Sequence, residues 1–393
     1  MKPRLALCGN VFRVHDAEGA IALMAEGQLP ELRQQWLQSG AAGAAEVGFG
    51  LYLPAIAAAQ LIKNPALRRR WTRSSLKSGW PIWTANAFPY GGFHEKLVKE
   101  KAFLPDWTQP ERLHYTCQVA DLLATQMLAG GGDDLQGSLS TCPLGYGTDL
   151  VTNPTALKHL KLAEAHLAHI ADELQVHLVL SLEPEPDGAF ERVSDLGRWL
   201  HQHFPQSRHV GVCWDLCHSA VVDEPAAEVV QVLQDLQVRC GKVQVSAALL
   251  LQSADSEVVA LLAKLADDPW FHQVRQIGGA TAARWPDLPP FLQSSAYADL
   301  QNPDVVPTNV QYGIHCHVPV HRNEFLPGLQ ATEWKAAVDV ALAAGIRDFE
   351  LETYTLPVLP SAFLEQHGVV GTFVAELAAC FRQICLDTDP QGP

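Results

Sequence analysis

Positive charge is scarce in this chain. Its 393 residues carry 28 Lys and Arg against 43 Asp and Glu, a formal net charge of −15 at pH 7. Recognition of a phosphate backbone needs a basic face, so this balance argues against nucleic acid as a partner. Arg68, Arg69 and Arg70 make the one dense basic run and read as a solvated helix end. Long apolar runs are missing as well. Leu53–Ile62 is about half of a membrane span and is interrupted by Pro54 and Gln60, so direct membrane insertion is not expected. The opening MKPRLALCGNVF is too short in apolar residues for a signal peptide and reads as a first strand. The nine cysteines form no CxxC pair and read as buried thiols of a reducing, cytoplasmic protein. GxGxxG, Walker and GxSxG patterns are all lacking, which removes the usual phosphate loops and the nucleophile elbow.

What the chain has is alternation. Strand-like segments fall near 4–8, 46–51, 81–86, 137–142, 177–183, 209–215, 242–246, 311–317 and 348–352. Helical patterns separate them near 17–38, 55–72, 109–129, 154–174, 191–203, 224–238, 253–266 and 331–345, with a last one at 369–386. The helix at 154–174 is the clearest, with Asn153-Pro154 as cap and first turn and Leu157, Leu160, Leu167 and Ile170 at helical spacing. The order predicts an α/β fold, a single (β/α)8 TIM barrel over residues 1–386 with a frayed tail at 387–393. Nine candidate strands are one too many for that barrel, and 46–51 is expected to be ancillary or to extend the N-terminal rim. Residues 86–108 and 268–310, rich in Gly, Pro or aromatics, are expected as loop insertions over the barrel mouth, and Ala129–Asp134 as a further loop.

Five segments end an apolar run with chemistry-bearing groups: HLVLSLEPEP (177–186), HVGVCWDLCH (209–218), KVQVSA (242–247), QYGIHCHVPVHR (311–322) and DFELETYT (348–355). Alternate strand residues face opposite sides. Leu178, Leu180 and Leu182 therefore share one face, while Val179, Ser181, Glu183 and Glu185 share the other. Asp215 and His218 form D-x-x-H just past a strand, which suits either two ligands of one divalent ion or a helix-capping Asp with a loop His. Glu183 and Glu185 supply a ligand and a base, and Glu352 the opposite carboxylate. Carboxylates on two sides of a hydroxylated carbonyl compound can pass a proton, while a metal stabilises the oxyanion. Glu350, one layer lower, reads as half of a structural ion pair.

His315 and His317 project from one strand face, as metal ligands or as satisfied core histidines, and His321 and Arg322 follow as substrate contacts. Gln244 is a poor metal ligand and is expected to orient a substrate hydroxyl. The stretch 84–107 gathers Asn86, Phe88, Tyr90, Phe93, His94 and Lys96. Such a loop suits stacking on a sugar face or serves as a packed aromatic lid. The turn Cys142–Gly147 is a second one of this kind.

LxLEPEP, GVCWDLCH and ELETYT resemble the xylose-isomerase-like TIM barrels, which include sugar epimerases and family-2 apurinic endonucleases. NAFPYGGFHEKLVKEKAFLPDW, STCPLGYG, CWDLCHSAV, KVQVSAAL and HCHVPVHRNEF are similar to the EboE family of metabolite traffic proteins, over nearly the whole chain. The resemblance implies a divalent cation (Mn, Zn, Mg or Fe) held by Glu183, Asp215 and Glu352, with His218 matching the endonuclease pattern. Gln244 stands where epimerases carry a ligand His, and His315 or His317 would replace it from the next strand. The EboE likeness implies traffic of a small, isoprenoid-type metabolite toward the periplasm with co-encoded membrane or traffic proteins.

These residues predict a metal-dependent isomerase or epimerase, with hydrolysis second, acting on a small hydroxylated or carbonyl metabolite. Glu183, Asp215, His317 and Glu352 hold the cation, His218 binds it or relays protons, and Glu185 is a spare base. The rival reading is a metabolite carrier on a barrel whose catalysis has decayed. An abasic-site endonuclease is disfavoured by the charge of −15.

Overall fold

The computed structural model describes residues 2–41, 46–91, 99–132, 135–268, 271–278, 283–302, 310–366 and 368–386. Eight parallel strands close a barrel: β1 (Arg4–Cys8), β2 (Gly48–Tyr52), β3 (Thr84–Asn86), β4 (Gln136–Thr141), β5 (His177–Leu182), β6 (Val210–Asp215), β7 (Cys240–Val245) and β14 (Asp348–Leu351). β1 closes the ring, pairing with β2 on one side and β14 on the other. The fold is a (β/α)8 barrel, as the alternation predicts.

The supernumerary strand is a different one from that expected. The segment taken as ancillary is β2, paired with β1 and β3 inside the barrel. Its sequence GFGLY looks unsuited to a barrel wall, but the glycines make room. A Cβ on Gly48 would lie 2.3 Å from the Trp83 ring, and one on Gly50 would lie 1.8 Å from Glu350 Oε1. The segment near 311–317 lies outside the barrel instead, as β11 (Gln311–His315). It belongs to a six-stranded sheet of order β10-β9-β11-β8-β13-β12. The other members are β8 (Leu249–Leu251), β9 (His272–Ile277), β10 (Arg284–Asp287), β12 (Glu324–Leu326) and β13 (Leu329–Ala331). All of its pairings are antiparallel. The expected loop at 268–310 therefore contains β9, β10 and the short helices Leu288–Leu292 and Ser295–Leu300. A strand's parity shows what it exposes on each face and leaves open which sheet it joins.

Helices follow the predicted order, broken where local chemistry demands. Gly27, at φ 78°, separates Ala17–Ala25 from Gln28–Gln38, and Asn64-Pro65 separates Ala55–Lys63 from Pro65–Ser78. Pro154–Leu174 begins as expected, with Asn153 Oδ1 accepting from Thr155 N and Ala156 N. The last helix, Gly368–Phe381, opens an 18-residue stretch apolar enough in composition to cross a membrane. It instead buries Phe373, Leu377 and Phe381 against the rest of the chain. One buried cluster takes in Leu5, Leu180 and Phe349 of the barrel with Val274, Ile314 and Leu329 of the second sheet. The tail at 387–393, His94 with its neighbours Phe93 and Lys96, and Asp133 and Asp134 lie outside the described residues.

Candidate metal centre at the barrel mouth

The barrel strands deliver carboxylates to one end. Glu183 follows β5, Asp215 ends β6 and Glu352 follows β14, and the three are 1–3% exposed. The second sheet lies across this end and brings His315 and His317 from β11 and the turn after it. Ligand atoms of Glu183, Asp215 and Glu352 lie within 4.8 Å of one another, as do those of Asp215, His218 and His317, and those of Glu185, His218 and His315. A further group of that size is Cys217, His315 and His317.

Each carboxylate is held on part of its surface. Asp215 caps the helix Leu216–Val221, its Oδ1 accepting from His218 N at 2.8 Å. Ser246 Oγ, at the end of β7, sits 2.9 Å from both Asp215 oxygens and donates to them. The two sequence readings of D-x-x-H are thus compatible, since the capping Asp still faces the cluster. Glu352 Oε1 accepts from the side-chain amides of Asn10 and, at 3.3 Å, Asn86, with Cys8 Sγ donating at 3.7 Å. Among the described residues its Oε2 has no hydrogen-bond partner, with His317 Nδ1 3.8 Å away, and neither has Glu183 Oε2. Burial, with Glu352 and Asp215 close by, holds Glu183 well above the usual carboxylate range. Burial and Asp215 do the same to Glu352. Burial, Asp215 and Asp187 push Glu185 up to about 8.

The histidines are locked in one tautomer. His218 Nδ1 donates to Pro184 O at 2.9 Å, and His317 Nδ1 to Glu352 O at 3.1 Å. Carbonyls only accept, so both Nδ1 atoms carry a proton, and in a neutral ring the lone pair is then on Nε2. His317 Nε2 is buried without a partner, 3.8 Å from Asp215 Oδ2. Burial pushes His317 down to about 4 against the pull of Asp215. Burial likewise holds His315 well below the usual imidazole range, with His218 and His272 adding to it. Neutral imidazoles with Nδ1–H on a carbonyl and a bare Nε2 are the form in which His binds metals. Buried carboxylate and imidazole atoms without a hydrogen-bond partner among the described residues, with Asp215 common to the Glu183, Glu352 group and the His218, His317 group, fit a divalent cation.

Other predicted residues are placed elsewhere. Asn86 is a support of Glu352 rather than an open contact. Phe88 packs edge-on against Phe103 with centroids 5.3 Å apart, and Tyr90 against Tyr115 at 5.2 Å. His321 bonds Glu365 at 3.1 Å, and Arg322 donates to Ala362 O and lies over Phe325 and Phe363. Both are tied to the 361–365 segment and not brought to the cluster. Gln244 is fully buried below Ser246, its Oε1 accepting from Cys213 Sγ at 3.0 Å. Glu350 is paired as expected, with Lys242, whose Nζ donates to it at 2.5 Å and to Ala85 O at 3.0 Å.

Sequence reasoning missed Cys8, Asn10, Ser246 and Gln273. Cys8 and Asn10 share a parity at the end of β1, and Ser246 continues the parity of Gln244. That was the available signal. No protein-family model and no curated protein matches the chain. Among solved structures, it is similar to a sugar phosphate isomerase/epimerase from Parabacteroides distasonis. The two are 9% identical over 98% of this chain and 94% of that one, with a TM-score of 0.40. So distant a likeness carries no weight for activity.

Proposed function

We propose that the chain is a metal-dependent barrel enzyme that moves a proton on a small hydroxylated or carbonyl metabolite, in the manner of an isomerase or epimerase. The observation that carries this reading is that Asp215 belongs to two close groups of buried ligand atoms, one with Glu183 and Glu352 and one with His218 and His317, while Glu183 Oε2, Glu352 Oε2 and His317 Nε2 have no hydrogen-bond partner among the described residues. Glu183, Asp215, His317 and Glu352 would hold the ion, which is Mn, Zn, Mg or Fe. When bound, it supplies positive charge beside a substrate oxygen as the neighbouring carbon loses its proton.

The chain's own groups divide the remaining work. Ser246 and the cap on His218 N fix Asp215 in place, and Asn10 and Asn86 fix Glu352 with Oε2 turned free. Glu185, at about 8, exchanges a proton near neutral pH, as a general acid or base must. It is also less buried than Glu183, which puts it on the side a substrate reaches first. His218, fixed through Nδ1 on Pro184 O, relays the proton. The EboE-like motifs give the setting: a cytoplasmic step on an isoprenoid-type metabolite, beside co-encoded membrane or traffic proteins. Gln244, buried where epimerases carry a ligand His, favours a second reading in which the barrel only carries its metabolite.

The test is elemental analysis of untagged protein beside an Asp215→Ala, Glu352→Ala double variant, followed by deuterium uptake from D2O into candidate hydroxy-carbonyl compounds. Near-stoichiometric metal lost in the variant is expected. A parent that takes up no divalent ion more tightly than micromolar overturns the reading. Turnover abolished by Glu183→Gln with ligand binding intact would exclude the carrier.

A further inference from the structure

The second sheet contains one residue held in a backbone conformation unsuited to it. β9 and β11 pair in step from Ile277↔Gln311 to Val274↔Ile314, after which His315 pairs with His272 and Gln273 is left over. Gln273 is the extra residue of a β-bulge, with φ 41°, in the left-handed region that favours glycine. A bulge re-aims a side chain, and here it drives an amide inward to 4% exposure.

That amide has one allowed orientation. Its Nε2 donates to Pro186 O at 2.7 Å and to Asp187 Oδ2 at 3.2 Å, groups that only accept. Oε1 must therefore face His315, whose Nδ1 lies 2.5 Å away and must carry the proton. His315 Nε2 is left with its lone pair, and no described side chain or backbone group takes it. The same amide anchors the loop after Glu183. In that loop Pro184 O fixes His218, and the Glu185 carboxylate accepts no hydrogen bond from the described residues, while its carbonyl accepts from Gly188 N at 2.9 Å. One side chain thus sets the two partners that meet in the Glu185, His218 and His315 group.

We propose that Gln273 is a positioning residue, kept in its strained bulge because it fixes His315 as a further cation ligand, beside the four named above, and holds Glu185 opposite it. This rests on the metal reading above. Hydrogen bonds behind metal-binding histidines are worth about 10–100-fold in affinity. Strain retained at such a point is a mark of function rather than of folding.

The experiment compares the parent with Gln273→Gly and Gln273→Ala, each as the full chain. Histidine-selective 15N labelling and long-range correlation spectra read the tautomer of His315 after chelation, and competition titration reads Zn2+ affinity. The expected result is a pure Nδ1–H tautomer in the parent and a mixed one in both variants, with Zn2+ bound about 10–100-fold more weakly. Gln273→Gly should melt above Gln273→Ala, because only glycine relieves the positive φ. An unchanged tautomer, or Zn2+ bound as tightly by Gln273→Gly as by the parent, overturns the role of Gln273 and leaves the metal reading standing. A parent that takes up no Zn2+ overturns the metal reading, and His315's place in it.

Discussion

Replacing Glu376 by Gln should change how stability depends on pH while leaving the packing intact. Glu376 sits on the helix Gly368–Phe381 with no exposed surface. Its Oε1 accepts from Thr353 Oγ1 at 2.7 Å and Val320 N at 3.0 Å, and Oε2 has no partner. Glutamine keeps the accepting oxygen and replaces only the orphan. Burial pushes the Glu376 carboxyl from the ordinary 4.5 up to about 8. The folded chain therefore keeps a proton that the unfolded chain releases. This contribution to stability is fully present below about 4.5 and is lost as pH rises toward about 8. One proton corresponds to about 1.4 kcal/mol per pH unit, so the parent should lose about 3 kcal/mol relative to Glu376→Gln between about pH 5 and pH 7. Glu183, Glu185 and Glu352 tilt both proteins alike, so the difference between them isolates this group. Urea denaturation at half-unit pH steps supplies the two curves. If they run parallel from pH 5 to pH 7, Glu376 is ionised in the folded chain and the argument is wrong.

Two further outcomes follow from buried contacts. Lys242→Met leaves Glu350 uncompensated at 0% exposure and should cost about 3–5 kcal/mol in denaturant unfolding. Lys242→Met with Glu350→Leu should recover most of that loss, and a double variant as unstable as the single one would refute the pairing argument. Ser246→Ala removes the hydroxyl that Asp215 shares between its oxygens and should weaken divalent-ion binding about 10–100-fold. Unchanged affinity by calorimetry would mean that Asp215 needs no such support.

The carboxylates were legible in the sequence because parity and strand ends alone determine where Glu183, Asp215 and Glu352 point. The histidines were legible as a pair, but their origin was not. His315 and His317 come from the covering sheet, and nothing in QYGIHCHVPVHR says whether its neighbours are parallel or antiparallel. β2 is not recognisable as a barrel strand from GFGLY alone, because the Trp83 and Glu350 side chains that fill the space beside Gly48 and Gly50 come from other strands and loops. Gln273 gives no signal at all, because a bulge exists only relative to a partner strand. Glu376 hides inside an apolar helix pattern, where one acidic residue reads as the exposed face.

The tautomers bear on what the site can accept. His218, His315 and His317 each spend Nδ1–H on a carbonyl oxygen, from Pro184, Gln273 and Glu352. In the neutral rings the lone pair is then on Nε2, next to carboxylates that crowd one another. Below them the Lys242 ammonium is bound to Glu350. The imidazole nitrogens turned toward this space are therefore acceptors in the neutral rings, and an anionic head would meet their lone pairs. A cation, or a neutral molecule with hydroxyl protons to donate, meets what it needs. Under the reading proposed above, that asymmetry favours a polyhydroxylated substrate over a phosphate or carboxylate entering head first.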